Sequence, residues 1–257
     1  MEAKHRGQIY LYGERHCNQK IMEKQLEIWH DFYHNDNLRC LFLEHCYFAT
    51  EFFNMWMRSS GDDILEMLYE IALAPNFPYI KDFFRTIKKN CPETIFCGTT
   101  PAYPPIGEKY LQYLEDSNQI DSDKYCQAKK SMEKGKRLYA EYGGEWDDGY
   151  REANIVENFI CKFEKLNGES VMGIYGAMHI MLDPVEYFDD VPCLGHQLKE
   201  RYGEAVHFED LSYLFDGKNI ILSPQDENIQ EKDITHSLDK ANKKYGKVLK
   251  RLGENRN

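Results

Sequence analysis

The sequence predicts an α/β protein with a mainly parallel central sheet flanked by helices and a helical cap insertion. Three observations predict it. Short apolar runs recur around Ile9–Tyr12, Cys40–Leu43, Thr94–Gly98 and Ser170–Tyr175, and they are continuous rather than alternating, as in strands buried on both faces. Longer stretches with helical spacing separate them. Two of the runs close on Gly with a His three residues further on, Gly13 to His16 and Gly176 to His179. The carboxyl edge of such a sheet is where ligands bind, so these two exits can bring both imidazoles to one crevice.

Composition bounds the function. The chain of 257 residues reads as a single α/β domain over 1–257. Its net charge is −11, and no basic stripe with interleaved aromatics is present. Nucleic acid and anionic membrane surfaces are therefore not expected partners; a small-molecule or peptide substrate is. No apolar run approaches the roughly 20 residues of a membrane span. The start, Met1 to Gly7, lacks the apolar core of a signal peptide. The eight cysteines are scattered with no Cys-x-x-Cys pair, which reads as reduced, mostly buried thiols and a cytoplasmic location.

Taken in order, Asn18 is placed to cap a helix running to about Phe32, with Ile21, Leu26, Ile28, Trp29 and Phe32 on its apolar face. His30 and His34 lie one turn apart, a spacing that can hold a metal but is better explained by a pair of solvated surface histidines. After Asn35–Asn37 the run from Arg39 to Glu44 is a second strand, completing a βαβ unit and bringing Glu44 to the edge that carries Glu14 and His16. Alternation along that strand turns His45 away from Glu44's side. Tyr47–Ala74 reads as two aromatic-rich helices broken at Ser59–Asp62, and Tyr79–Lys89 as another. The third strand closes on Gly98, followed by a rigid loop over Pro101–Pro105. The charged segment from Gly107 to Tyr142 is the candidate cap, about 107–145; its Lys129, Lys130, Lys134, Lys136 and Arg137 form a solvated face or an anion site.

Asp147 or Asp148 can cap a helix over Tyr150–Leu166, on which Arg151, Asn154 and Asn158 form a polar stripe. That stripe either points into a site or sits at the solvent boundary. The fourth strand then delivers His179. Cys193–Tyr202 reads as a helix, Ala205–Leu211 as a fifth strand, Asp216-Gly217 as a hairpin turn, and 231–257 as a peripheral helix.

Taken together, several of these motifs have a familiar look. Gly13-Glu14-x-His16-x-Asn18 resembles the opening motif of the superfamily that joins erythromycin esterases, haem-binding ChaN-like proteins and TraB/Tiki proteins. Glu44 sits where that superfamily has a Glu after its second strand. Arg151-Glu152-x-x-Ile155-Val156-x-Asn158 is similar to the Arg-Asp-x-x-Met-Ala-x-Asn helix of the esterase branch, Gly176-Ala-Met-His179 to the second Gly-x-x-His, and Leu194-Gly195-x-x-Leu198-x-x-x-Tyr202-Gly203 to the segment after it. One residue separates Glu14 from His16, a spacing closer to the ChaN-like and TraB/Tiki branches, and the strand ending at Gly98 lacks the acidic residue of the esterase branch.

The resemblance implies a hydrolase of an ester, lactone or amide bond. Glu14, His16, Glu44, Arg151 and His179 are its candidate catalytic residues, with His45, Glu152 and Asn158 as candidate substrate contacts. Positioned acid–base groups and an Arg beside developing oxyanion charge suit that chemistry. The same His16, Glu44 and His179 could instead hold a divalent metal, Mn, Co or Zn, that activates water. The ChaN-like branch implies haem capture as the alternative, with Tyr side chains as axial ligands.

Overall fold

The computed structural model describes residues 7–71, 78–140, 147–182 and 191–217. Five strands, β1 (Ile9–Glu14), β2 (Cys40–Cys46), β3 (Ile95–Thr100), β4 (Val171–Gly176) and β5 (Val206–Asp210), form one sheet in the order β3-β2-β4-β1-β5. β1 pairs in parallel with both β4 and β5, and β2 pairs in parallel with β4. The α-helices among the described residues are α1 (Gln19–Asn35), α2 (Tyr47–Met57), α3 (Asp63–Ile71), α4 (Pro78–Asn90), α5 (Pro104–Asp116), α6 (Asp123–Ala140), α7 (Asp148–Phe163) and α8 (Leu194–Tyr202).

These elements fall into two compact units. The first takes its described residues from Met1–His45, Phe77–Thr100 and Trp146–Ile221, and the second from Cys46–Asn76 and Pro101–Glu145.

In the first unit, alternate residues of β1 serve opposite faces of the sheet. Ile9 and Leu11 belong to a buried cluster with Phe42, Ile155, Phe159, Tyr175, Leu194 and Leu198, which seats α7 and α8. Tyr10 faces the other way, its ring 4.6 Å from Phe32 of α1. On that side Trp29 donates to Thr94 Oγ at 3.1 Å, fixing α1 beside the start of β3. Both β1 faces are covered, which is why its apolar run is unbroken.

The helix starts follow their caps. Asn18 accepts the backbone N–H of Ile21 at 3.2 Å, and Asp147 accepts that of Tyr150 at 2.6 Å. α1 continues one turn past Phe32, and the exposed rings of His30 and His34 lie 4.3 Å apart on it.

In the second unit, α2, α3, α5 and α6 pack around Phe48, Phe52 and Tyr110. Pro104 and Pro105, expected in a loop, instead open α5, where a missing N–H costs nothing. The break at Ser117–Ser122 separates α5 from α6 within the stretch read as a cap. The chain bends at Gly217, with φ +76; the rest of the expected hairpin turn, its second arm and the helix over 231–257 lie outside the described residues. Among the described residues no helix is long and apolar enough to cross a membrane.

Candidate functional site

The site lies at the carboxyl edge of the sheet, within the first unit. Register places it there: Glu14 ends β1 opposite Gly176, and Leu43 pairs with Ile174, so Glu44 emerges beside Tyr175. The helix start that follows Asp147 brings Arg151 and Glu152 to the same edge.

Glu44 is the centre. Its Oε1 accepts from Arg151 Nη2 and lies 3.2 Å from His179 Nε2. Its Oε2 accepts the backbone N–H of Gly176 at 2.7 Å and lies 3.7 Å from His16 Nε2. Arg151 Nη1 also approaches His179 Nε2 at 3.2 Å. Burial pushes the Glu44 carboxyl up, but His179, His16 and Arg151 together outweigh it and hold the group well below the ordinary carboxylate range.

Each imidazole has its own carboxylate behind it. His179 is 5% exposed, and Glu152 Oε2 holds its Nδ1 at 2.5 Å, while Glu152 Oε1 accepts the backbone N–H of Leu194 at 2.6 Å. The carboxylate thus sits at the N-terminus of α8, where the helix dipole favours negative charge. His16 has Glu14 Oε1 2.8 Å from its Nδ1, and Glu14 Oε2 accepts from Gln25 at 2.5 Å.

Both rings are held as cations at neutral pH. His16 is raised to about 9, chiefly by Glu44, with burial opposing and Glu14 assisting. Burial lowers His179, but Glu44 and Glu152 overcome it and bring that ring also to about 9. The two differ in access: the His16 side chain is 52% exposed and that of His179 6%. His16 is therefore the more accessible of the two rings.

The glycines at the strand ends serve to make room rather than to turn the chain. Neither Gly13 nor Gly176 has a positive φ. A Cβ on Gly176 would stand 3.0 Å from His16 Nε2 and 3.3 Å from Glu44 Oε2, and one on Gly13 would meet Ile180 Cδ1 at 2.7 Å.

Glu14, His16, Glu44, Arg151 and His179 are thus brought into one bonded cluster. Glu152 stands behind His179 with no exposed surface. Asn158 donates to the backbone carbonyl of Thr99 at 2.7 Å, tying α7 to the end of β3. His45 is exposed, and its ring meets Phe84 edge-on at 6.1 Å. Gln25, which fixes Glu14, was not singled out in the sequence. Its signal is a polar residue in the buried i, i+4, i+8 stripe Ile21, Gln25, Trp29.

The residues present do not fit a divalent metal. A metal needs lone pairs of His16, Glu44 and His179 converging at about 2.0–2.2 Å on one point. Here the two Glu44 oxygens are turned to Arg151 and to the Gly176 N–H. Among the described residues, no group of three or more His, Cys, Asp or Glu is arranged to hold a metal ion.

No family model matches the chain, and no curated protein matches it. Among solved structures it is similar to an erythromycin esterase mutant in its open conformation, with a TM-score of 0.59 at 10% identity over 79% of this chain and 69% of that one. It is similar also to a succinoglycan biosynthesis protein, with a TM-score of 0.51 at 12% identity over 79% of this chain and 65% of that one. The chain thus spans about two thirds of the length of these structures, and at these identities what it shares with them is the erythromycin esterase-like α/β fold.

Proposed function

We propose that the protein is a metal-independent hydrolase that activates water to cleave an ester, lactone or amide bond. The single observation that carries this reading is the Glu44 carboxylate joining Arg151, His179 and His16 at the sheet edge, with only His16 broadly open to solvent. The esterase-like fold supports it.

In this reading the deprotonated His16 is the base. Its Nε2 takes a proton from water, and the hydroxide oxygen adds to the acyl carbon. Glu14 at Nδ1 stabilises the imidazolium that forms. The oxyanion of the tetrahedral intermediate is stabilised by Arg151 and protonated His179, both held in place before the substrate arrives. Collapse expels the alkoxide or amine, which recovers the proton from His16. Glu44 keeps the cations together, and Glu152 keeps His179 oriented.

Haem capture is the second reading. It is disfavoured at His179, whose Nδ1 is engaged by Glu152 and whose Nε2 faces Glu44 and Arg151. Tyr175 is fully buried, with its hydroxyl 3.0 Å from Thr99 Oγ. The test is a screen of ester, lactone and peptide substrates beside a Soret titration with haem. Turnover lost in His16→Ala supports the hydrolase; tight haem binding with no turnover overturns it.

A further inference from the structure

β1 and β2 both run parallel to β4, so α1 between them must run back. The strand ends at Glu14 and the helix begins at Gln19, which leaves residues 15–18 to reverse the chain. Cys17, in the middle of that stretch, has φ +57. Among the described residues the other non-glycine positions with positive φ are Asn37, Asn118 and Asn167. Asn tolerates the left-handed region because its short amide bonds locally. Cys has no such relief, so a strained residue stands next to His16 and must be held there by its surroundings.

The surroundings grip this loop from two sides. Tyr79, near the start of α4, donates its hydroxyl to the Cys17 carbonyl at 2.9 Å. Asn18 is 2% exposed; besides capping α1, it donates to Asp216 Oδ1 at 3.1 Å. The Arg15 guanidinium lies over the Phe215 ring, 4.7 Å from its centre. Arg15 and Asn18 are thus tied to the segment after β5, and the peptide between them to α4.

His16 is the residue inside the grip. The groups that face its ring are Glu14, Glu44 and His179. Glu14 ends β1 and is fixed by Gln25, and Glu44 belongs to β2. Where the ring lies against these carboxylates is therefore set by the backbone that carries it. The strain of one left-handed residue and the net worth of one hydrogen bond are of the same order, so a single hydroxyl is enough to tip the balance.

We infer that Tyr79 is a positioning residue: by holding the Cys17 carbonyl it keeps that residue left-handed and the His16 ring against Glu14 and Glu44. Its effect on turnover rests on the hydrolase reading above; its effect on the ring does not.

Tyr79→Phe removes only the hydroxyl, and NMR titration of the imidazoles reads the ring without any substrate. Glu44 and Glu14 raise His16 to about 9. In the variant that value is expected to fall to about 8.5 or below, while His179, held by Glu152, keeps its own. Cys17→Val, whose branched side chain is least compatible with positive φ, should lower His16 in the same way. Cys17→Gly takes that φ freely; alone it should leave His16 unchanged, and combined with Tyr79→Phe it should restore the wild-type titration. Thermal unfolding checks each variant. On any ester the protein cleaves, kcat/KM near pH 9 should fall roughly 3- to 10-fold in Tyr79→Phe, the share of one hydrogen bond, and recover with Cys17→Gly. A His16 titration left unchanged by either Tyr79→Phe or Cys17→Val overturns the inference, and so does a fall that Cys17→Gly does not reverse. Should Tyr79→Phe not fold, Cys17→Val decides alone. If no ester is cleaved, the hydrolase reading fails separately and the titrations still decide the role of Tyr79.

Discussion

Glu152 holds His179 with one carboxylate oxygen, 2.5 Å from Nδ1, and with the other accepts the backbone N–H of Leu194 at 2.6 Å. A fully buried carboxylate thereby couples the imidazole to the first residue of α8. Glu152→Gln keeps the shape and removes the charge. The His179 pKa should then fall from about 9, read by NMR of the imidazole, and stability should drop by about 3 kcal/mol, as when a buried pair loses one partner. An unchanged imidazole titration would show that Glu152 does not govern this ring.

Arg151 donates to Glu44 from one nitrogen and approaches His179 with the other. Lys keeps the charge but has no planar fork to span both. Arg151→Lys should lower turnover by roughly 10²-fold, comparable to removing an oxyanion donor. Steady-state kinetics on any ester found in the screen measures it, and a variant within a factor of two of wild type contradicts the role.

Room at Gly176 is a separate requirement. Its φ is −51, open to any residue, so Gly176→Ala should fold; its Cβ would press on His16 Nε2 at 3.0 Å and Glu44 Oε2 at 3.3 Å. His16 must shift by a few tenths of an ångström, and turnover should fall roughly 10-fold, less than the ~10²-fold of a full 1 Å misplacement. Circular dichroism with kinetics separates this from unfolding.

Much of this edge was legible beforehand. β1, β2 and β4 announce themselves because covered strands need unbroken apolar runs, and Glu14, His16, Glu44 and His179 follow from where those runs stop. What spacing on α7 leaves open is which neighbour each residue meets. Arg151 and Glu152 are adjacent, yet successive residues are turned by about 100° around a helix, so one meets Glu44 and the other the far side of His179. Asn158, read as a substrate contact, lies against the Thr99 carbonyl for the same reason: sequence places it on the stripe, and only the packing of β3 says what faces it. What requires the strand-end glycines is the closeness of Ile180 and His16, which no local pattern encodes.

The pH dependence of stability and of turnover should run in opposite directions. His16 and His179 have folded-state pKa values raised from 6.5 to about 9. Their stabilisation is therefore fully present below about pH 6.5 and lost as pH rises through 9. Glu44 is depressed, so its contribution is lost at the acid end, as pH falls through its folded value. Thermal midpoints taken between pH 6 and 10 should decline across the upper part of that range. Midpoints that rise there would contradict the shared cationic state of the two rings.

The most direct test is the pH profile of kcat/KM in the presence of EDTA, for the wild-type protein and for His16→Ala. With His16 as base, His179 kept protonated and no metal required, the wild-type value should survive chelation and climb about tenfold per pH unit from 7. It should peak near 9, where His16 loses its proton, and fall above that as His179 loses its own. His16→Ala, altering a half-exposed side chain, should keep the fold while losing roughly 10²-fold or more of the activity and the rise with it. Activity that EDTA abolishes and Mn²⁺ or Zn²⁺ restores, or a rising profile that persists without His16, would contradict it.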